Sequence, residues 1–504
     1  MNSLVDPAIR HADFRAAPDA ERLRSVVERL RQVLPAHAVL HRDEDKRPYE
    51  CDALSAFRQM PMAVVLPDTE EQVIAVLRAC RDLDVPVVAR GAGTSLSGGS
   101  MPHASGVVLS LARFNRILEL DPTSRTARVQ PGVRNLAISE AAAPLGLYYA
   151  PDPSSQIACS IGGNVAENSG GVHCLKYGLT VHNVLRLRAI TIEGEVLEIG
   201  SAALDSPGLD LLALMIGSEG MLAVVTEITV KLLPRPQLAR AVLASFDDIV
   251  KAGDAVAAII AEGIIPAGME MMDRKTTAAV EPFVRAGYDL DAEAILIVES
   301  DGTPEEVQEE IARIDAVLKR CGCTAQRVSQ NEAERLAFWS GRKNAFPAAG
   351  RISPDYYCMD GTIPRRMLGR MLQAIAEMER KYQLGCMNVF HAGDGNLHPL
   401  ILFDANNPDS WHRAELFGAE ILELCVEYGG TVTGEHGVGV EKLSSMCVQF
   451  SPEERDTFFA VKAAFDPVGL LNPGKGIPTL ARCAEYGKMH VHRGQLPHAD
   501  LPRF

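Results

Sequence analysis

Three features of the sequence predict an α+β fold in two parts. Short β-rich runs alternate with helices up to about residue 236, glycine-rich loops interrupt that stretch, and long helical patterns alternate with strands over 237–440. The first 55 residues are charged and helix-prone, and residues 21–34 carry apolar side chains at helical spacing, as a leader helix would. From Met62 the pattern changes. Residues 63–66 read as a strand, Thr69 and Gln72 as a capping box that opens a helix, and residues 85–89 as a second strand, together a βαβ-like unit. Further strands are expected at 107–111, 186–192 and 223–232, and Pro234 and Pro236 close this 56–236 part. In the second part, helices are expected at 249–262, 305–320, 365–382 and 411–428 and a strand at 295–300, giving a sheet with helices on one side. A helix begins near Pro452, inside a 441–480 segment expected to return to the first part. The 481–504 tail, rich in His, Pro and Arg, is expected to be loosely held.

Composition excludes several function classes. With 504 residues, 47% of them hydrophobic, core burial is not limiting, and a net charge of -15 repels a phosphate backbone, so no nucleic-acid partner is expected. The eleven cysteines are scattered, only Cys321 and Cys323 lie close together, and no secretory signal opens the chain, so reduced cytoplasmic thiols are expected. No cysteine ladder can hold an iron-sulfur cluster. The most apolar stretch, 255–269, is broken by Glu262, Gly263 and Pro266, so any membrane contact is peripheral.

The segment Arg90-Gly91-Ala92-Gly93-Thr94-Ser95-Leu96-Ser97-Gly98-Gly99 follows a predicted strand, and its small residues let backbone amides approach a diphosphate. Leu96 stands where a dinucleotide fingerprint needs its third glycine, so this loop alone fits an ordinary turn equally well. A second loop, Pro151 to Ser155 leading into Ile161 to Gly171, tips the balance toward an extended ligand, with Gly217 to Gly220 a weak third element. Gly469 to Gly476 imitates a phosphate-binding P-loop, but Gly476 replaces the magnesium-holding Ser or Thr and no strand precedes it, so nucleotide hydrolysis is rejected.

The densest chemistry lies at 390–398 and 434–439. His391 and His398 are seven apart, which sends them to opposite faces of an unbroken strand. A reversal at Gly393-Asp394-Gly395-Asn396 would bring both imidazoles to one side, where Glu435 can add a carboxylate. Two histidines and one acid suit an open site for zinc, manganese or iron; the bland alternative is a pair of hydrogen-bonded interior histidines near a tight turn.

The loops and this cluster, in this order, resemble over about residues 60–476 the FAD-binding family typified by vanillyl-alcohol oxidase and p-cresol methylhydroxylase. Within it they are most similar to the FAD-linked subunits of glycolate oxidases, with D-lactate and D-2-hydroxyglutarate dehydrogenases as near relatives. The resemblance implies a two-lobed FAD-binding domain and an α+β cap with an antiparallel sheet. It implies that Arg90, Gly91, Ala92, Gly93, Thr94 and Ser95 hold the FAD diphosphate, and that Pro153, Ser154, Gly162, Gly163, Asn168, Gly171, Glu219, Val225 and Asn472 surround the rest. Thr94 stands where some relatives carry a histidine bonded to FAD, which implies non-covalent attachment. His391, His398 and Glu435 are implied as metal ligands and His436 as the base that takes the hydroxyl proton while hydride passes to the flavin. Arg342 is the best cation for the substrate carboxylate. Dehydrogenases for 2-hydroxyglutarate carry an added lysine where this chain has Cys358, which favours a short monocarboxylate such as glycolate or D-lactate. Companion flavin-type and iron-sulfur subunits, and a link to a membrane quinone, are implied as partners. The same scaffold also carries an ether-lipid synthase and would serve a non-catalytic electron-transfer subunit; no strong amphipathic signal favours the first, and the intact histidine cluster argues against the second.

Overall fold

The computed structural model describes residues 19–203 and 208–479, so the predicted tail and the first 18 residues of the leader lie outside the described residues. Helix α1 (Ala20–Arg31) buries Val26, Val27 and Leu30 against a four-stranded sheet of β1 (Val39–Leu40), β2 (Ala63–Val65), β3 (Val87–Arg90) and β4 (Val107–Ser110), ordered β1-β2-β4-β3. The expected βαβ unit is there: β2 and β3 both run parallel to β4, joined by helix α2 (Glu70–Asp82), whose N-cap Thr69 accepts from the Gln72 amide. A second, antiparallel sheet combines β5 (Ile117–Asp121), β6 (Thr126–Val129), β7 (Val184–Ile190), β8 (Val196–Gly200) and β9 (Val224–Lys231) in the order β5-β6-β9-β7-β8. The short helix α3 (Ile161–Glu167), which carries the second glycine loop, packs Ile161 and Val165 into the core of this second sheet.

The remaining sheet has seven strands: β10 (Leu238–Phe246), β11 (Gly268–Asp273), β12 (Ala294–Gly302), β13 (Ala325–Val328), β14 (Asp355–Cys358), β15 (Cys386–His391) and β16 (Asn396–Phe403). Their order is β13-β10-β12-β11-β15-β16-β14 and every pairing is antiparallel. Helices α4 (Ile249–Ala261), α5 (Pro304–Arg320), α8 (Leu368–Tyr382) and α9 (Pro408–Glu427) cover one face. The opposite face packs against Phe338 and Trp339 of α6 (Glu332–Lys343) and against the alanines of α7 (Ala345–Ala349).

Helices on one side only were expected, and that is corrected. The central strands do not alternate: Ala294 to Glu299 of β12 are all buried, as are Ala241 to Phe246 of β10, so both faces need a cover. The unalternated apolar run was present in the sequence and was the signal to read. After α10 (Pro452–Phe465), capped by Ser451 and Glu454, the chain lays Leu470 and Leu471 into the core of the first sheet, with Val87 and Leu471 forming a bridge. Among the described residues no helix is long and apolar enough to cross a membrane.

Phe417 of α9 is fully buried and its ring stacks on Tyr382 at 5.4 Å. Phe417→Ala is expected to destabilise this seven-stranded part by about 3–5 kcal/mol, read as a lowered urea midpoint followed by tryptophan fluorescence, since Trp339 and Trp411 both lie in this part.

Candidate active site

The glycine loops meet at a cavity of about 470 Å³ between the two smaller sheets and the seven-stranded part. Gly91, Ala92, Gly93, Thr94 and Ser95 line one side; Pro153, Ser154, Gly162 and Gly163 another; Glu219 and Val225 a third. Ser160 caps α3 through the Gly163 amide and also accepts from the Ala92 amide, so one hydroxyl ties the two loops together. His398, Glu435 and His436 line the same cavity.

Four of the residues expected at the cofactor stand behind this lining. Arg90 turns its guanidinium under the Gly93 turn and over the Tyr49 ring, Asn168 caps α3 and accepts from the Val181 amide, and Gly171 passes against Asp152. Asn472 donates to the carbonyls of Gly99 and Glu219, bracing the first loop from below. The P-loop imitation is resolved in the same place: Lys475 is buried and donates to the Met101 carbonyl and to Asn472.

The histidine hairpin forms as its turn residues require. β15 ends at His391, β16 begins at Asn396, and these two residues pair, as do Val389 and His398. Residues directly opposite share a face, and His398 lies two places beyond Asn396, so both imidazoles project to one side with ring centroids 5.0 Å apart. Gly395 permits the reversal: its φ is +76° and a Cβ would fall 2.1 Å from the Ile363 carbonyl oxygen.

Glu435 Oε1 stands 3.2 Å from His391 Nε2 and 3.3 Å from His398 Nε2. Ligand atoms about 2.0–2.1 Å from a tetrahedral ion are about 3.3–3.4 Å apart, so the two separations match the edges of such a site. His398 is buried, yet neither ring nitrogen has a hydrogen-bond partner, an arrangement costly for a structural histidine and natural for a ligand. The three residues therefore fit a divalent cation.

Two acids that the sequence reading passed over organise the cluster. Glu270 of β11, fully buried, accepts from His391 Nδ1 at 2.5 Å and from Arg342 Nε. Asp360 accepts from the amides of Gly434, Glu435 and His436, from the Thr433 hydroxyl and from Lys442 Nζ, and so fixes the loop that carries Glu435 and His436. Each left a signal. Glu270 is a lone acid inside the apolar run Gly268 to Met272, and Asp360 follows another.

These charges set the protonation states. Burial opposes a charge on His391, but the carboxylates of Glu270 and Glu435 outweigh it and raise its pKa to about 10. Burial likewise pushes Glu435 up, and the imidazoles of His391, His398 and His436 more than reverse this, leaving it at about 2. His436, stacked on His398 with planes 6° apart, is pulled below the ordinary imidazole value, chiefly by burial. It is therefore neutral at pH 7 and able to accept a proton. Arg342 lies outside the cavity lining, 1% exposed on α6, and both its terminal guanidinium nitrogens lack partners.

Residues 61–200 match the family described as FAD binding domain, and residues 235–476 match FAD linked oxidases, C-terminal domain. Over 489 residues, 97% of this chain and 98% of that one, the sequence is 63% identical to glycolate oxidase subunit GlcD of Escherichia coli. The chain belongs to the FAD-linked oxidase family. Glycolate oxidase subunit GlcD of Bacillus subtilis is 40% identical over 85% of this chain and 91% of its own length. The crystal structure of p-cresol methylhydroxylase with substrate bound superposes with a TM-score of 0.78 at 19% identity, covering 92% of this chain and 98% of that one, which shows the shared fold. This is an FAD-dependent oxidoreductase, and the cavity fits the cofactor: besides the glycine lining, the buried Ser100 hydroxyl on its wall has no protein partner.

In metal-free protein the His391 imidazolium is expected to persist past pH 8, with its ring nitrogens titrating near pH 10 by NMR. Because the folded pKa lies above the ordinary 6.5, the stabilisation is complete below about pH 6.5 and is lost as pH rises through about 10. Glu270→Gln should bring the midpoint down; a wild-type midpoint below 7 contradicts this electrostatic account.

Proposed function

We propose that this chain oxidises a short 2-hydroxy acid, glycolate first and D-lactate second, to the 2-oxo acid with non-covalently held FAD. The observation that carries the reading is the meeting of His391, His398, Glu435 and a neutral His436 beside the glycine-lined cavity. The names of the relatives support it: glycolate oxidase subunits at 63% and 40% identity, and a D-lactate dehydrogenase of Anaerostipes hadrus at 29%.

Bound in the cavity, FAD supplies a two-electron acceptor for the hydride of the substrate α carbon. His391, His398 and Glu435 would hold a zinc, manganese or iron ion, which would supply Lewis acidity toward the substrate hydroxyl. The chain's own groups do the rest. His436 Nε2 faces Glu435 and takes the hydroxyl proton, while Nδ1, 4.0 Å from Asp360, places the resulting imidazolium beside a carboxylate held well ionised despite burial by His436 and Lys442. Arg342 stands behind the cavity lining, and its two unpartnered nitrogens make it the cation this reading assigns to the substrate carboxylate. Glu270 joins that guanidinium to His391, so substrate grip and ligand orientation share one buried acid.

Cys358 occupies the place where a 2-hydroxyglutarate enzyme carries a lysine, and it is buried in β14, which argues against a second substrate carboxylate there. Electrons then leave the chain. The glycolate oxidase relatives are named as subunits, which supports companion subunits as electron acceptors; flavin-type and iron-sulfur companions and a peripheral place on the inner face of a membrane are what the family resemblance adds to this reading.

The test is anaerobic titration of the yellow protein with glycolate, D-lactate and D-2-hydroxyglutarate. Bleaching near the flavin maximum is expected with glycolate or D-lactate and not with the dicarboxylate. His436→Ala should keep FAD and lose about 10²–10⁴-fold in the reduction rate, the range of general-base catalysis. Undiminished reduction removes His436 as the base, and bleaching by none of the acids overturns the substrate class.

A further inference from the structure

Glu435, His436 and His398 give the cavity a polar wall, and the cap contributes one aromatic side chain to the same cavity, Phe346. Phe346 belongs to α7, whose Ala345, Ala348 and Ala349 are fully buried in the cap core, so the helix is anchored on that face and presents Phe346 and Pro347 to the cavity on the other. The Phe346 ring lies 6.4 Å from the His398 ring and 5.9 Å from Tyr356 of β14, both edge-on. Tyr356 backs it from outside the cavity lining, so the ring is held on two sides. Arg342, whose unpartnered nitrogens would take the substrate carboxylate, sits one turn earlier on the adjoining α6.

A 2-hydroxy acid has only one part without a polar partner in this arrangement, the substituent on its α carbon. That substituent is hydrogen in glycolate, methyl in D-lactate and a longer chain in higher homologues. We propose that Phe346, held by Tyr356, is the specificity-determining wall against which the α substituent packs, and that its bulk limits the substrate to a chain of two or three carbons. The inference rests on the reading of the chain as a 2-hydroxy-acid oxidoreductase and adds the residue that sets substrate length. Because Phe346 has no group that exchanges protons, its effect falls on discrimination between substrates and on KM rather than on the proton-transfer step.

The test compares kcat/KM for glycolate, D-lactate, D-2-hydroxybutyrate and D-2-hydroxyvalerate in the FAD-loaded wild type, Phe346→Leu and Phe346→Ala, with an artificial electron acceptor. One methylene in a fitted apolar pocket discriminates by roughly 10–200-fold. In Phe346→Ala the ratio of D-2-hydroxybutyrate to glycolate is therefore expected to rise at least about tenfold, mostly through KM, with Phe346→Leu intermediate. Phe346→Leu nearly conserves volume, so it carries the comparison if the alanine variant loses FAD or fails to fold. Ratios unchanged in a variant that still turns over glycolate overturn the proposal. A wild type that oxidises none of the four acids overturns instead the reading beneath it, and the two failures are told apart by the wild-type rates alone.

Discussion

Buried charge is the constraint on which the site depends. Glu270, Asp360 and Glu435 lie almost wholly out of water within one cluster, and a carboxylate in such a place persists only when cations or hydrogen-bond donors answer it at close range. Each is answered from several elements at once. Glu270 is met by Arg342 from α6 and His391 from β15; Asp360 by Lys442 and the backbone amides of residues 434–436; Glu435 by the imidazoles and by the Gly170 amide of the second glycine loop. The cofactor loop, the cap sheet and the return segment are thus bound to one electrostatic knot.

That knot ties the histidine cluster to the cofactor cavity. The backbone hydrogen bonds to Asp360 hold His436 against His398 in a stacked pair, and Gly437, with φ +78°, turns the chain at once so that the amides of Val438 and Gly439 reach Glu219. Glu219 lines the cofactor cavity and is raised in pKa chiefly by its burial. The glycine lobe and the histidine lobe are therefore joined through backbone donors, which position groups without adding side-chain freedom.

Much of this was legible in the sequence, and the parts that were not have a common cause. The glycine loops, the capped helices and the turn at residues 393–396 announce themselves locally, because turn and capping chemistry acts over a few residues. The odd seven-residue interval between His391 and His398 even required the hairpin that forms. Glu270, Asp360 and Lys442 escape such reading because their meaning lies in partners far along the chain, such as Arg342, 72 positions from Glu270. The placement of Arg90, Asn168, Gly171 and Asn472 behind the cavity wall, rather than on it, follows from the same limit: a motif names the loop, and only packing decides which atoms of it face inward. The seven-stranded sheet needed helices on both faces because β10 and β12 do not alternate, a cue that was present but read as if one face met solvent.

We propose that His391, His398 and Glu435 converge to hold one divalent cation beside the FAD cavity. Crystals of the FAD-loaded protein, with anomalous diffraction data collected above and below the zinc, manganese and iron edges, test it most directly. A single anomalous peak ligated by His391 Nε2, His398 Nε2 and Glu435 is expected. A cluster without any such peak in protein that is active on its substrate, or a peak ligated by other residues, contradicts it.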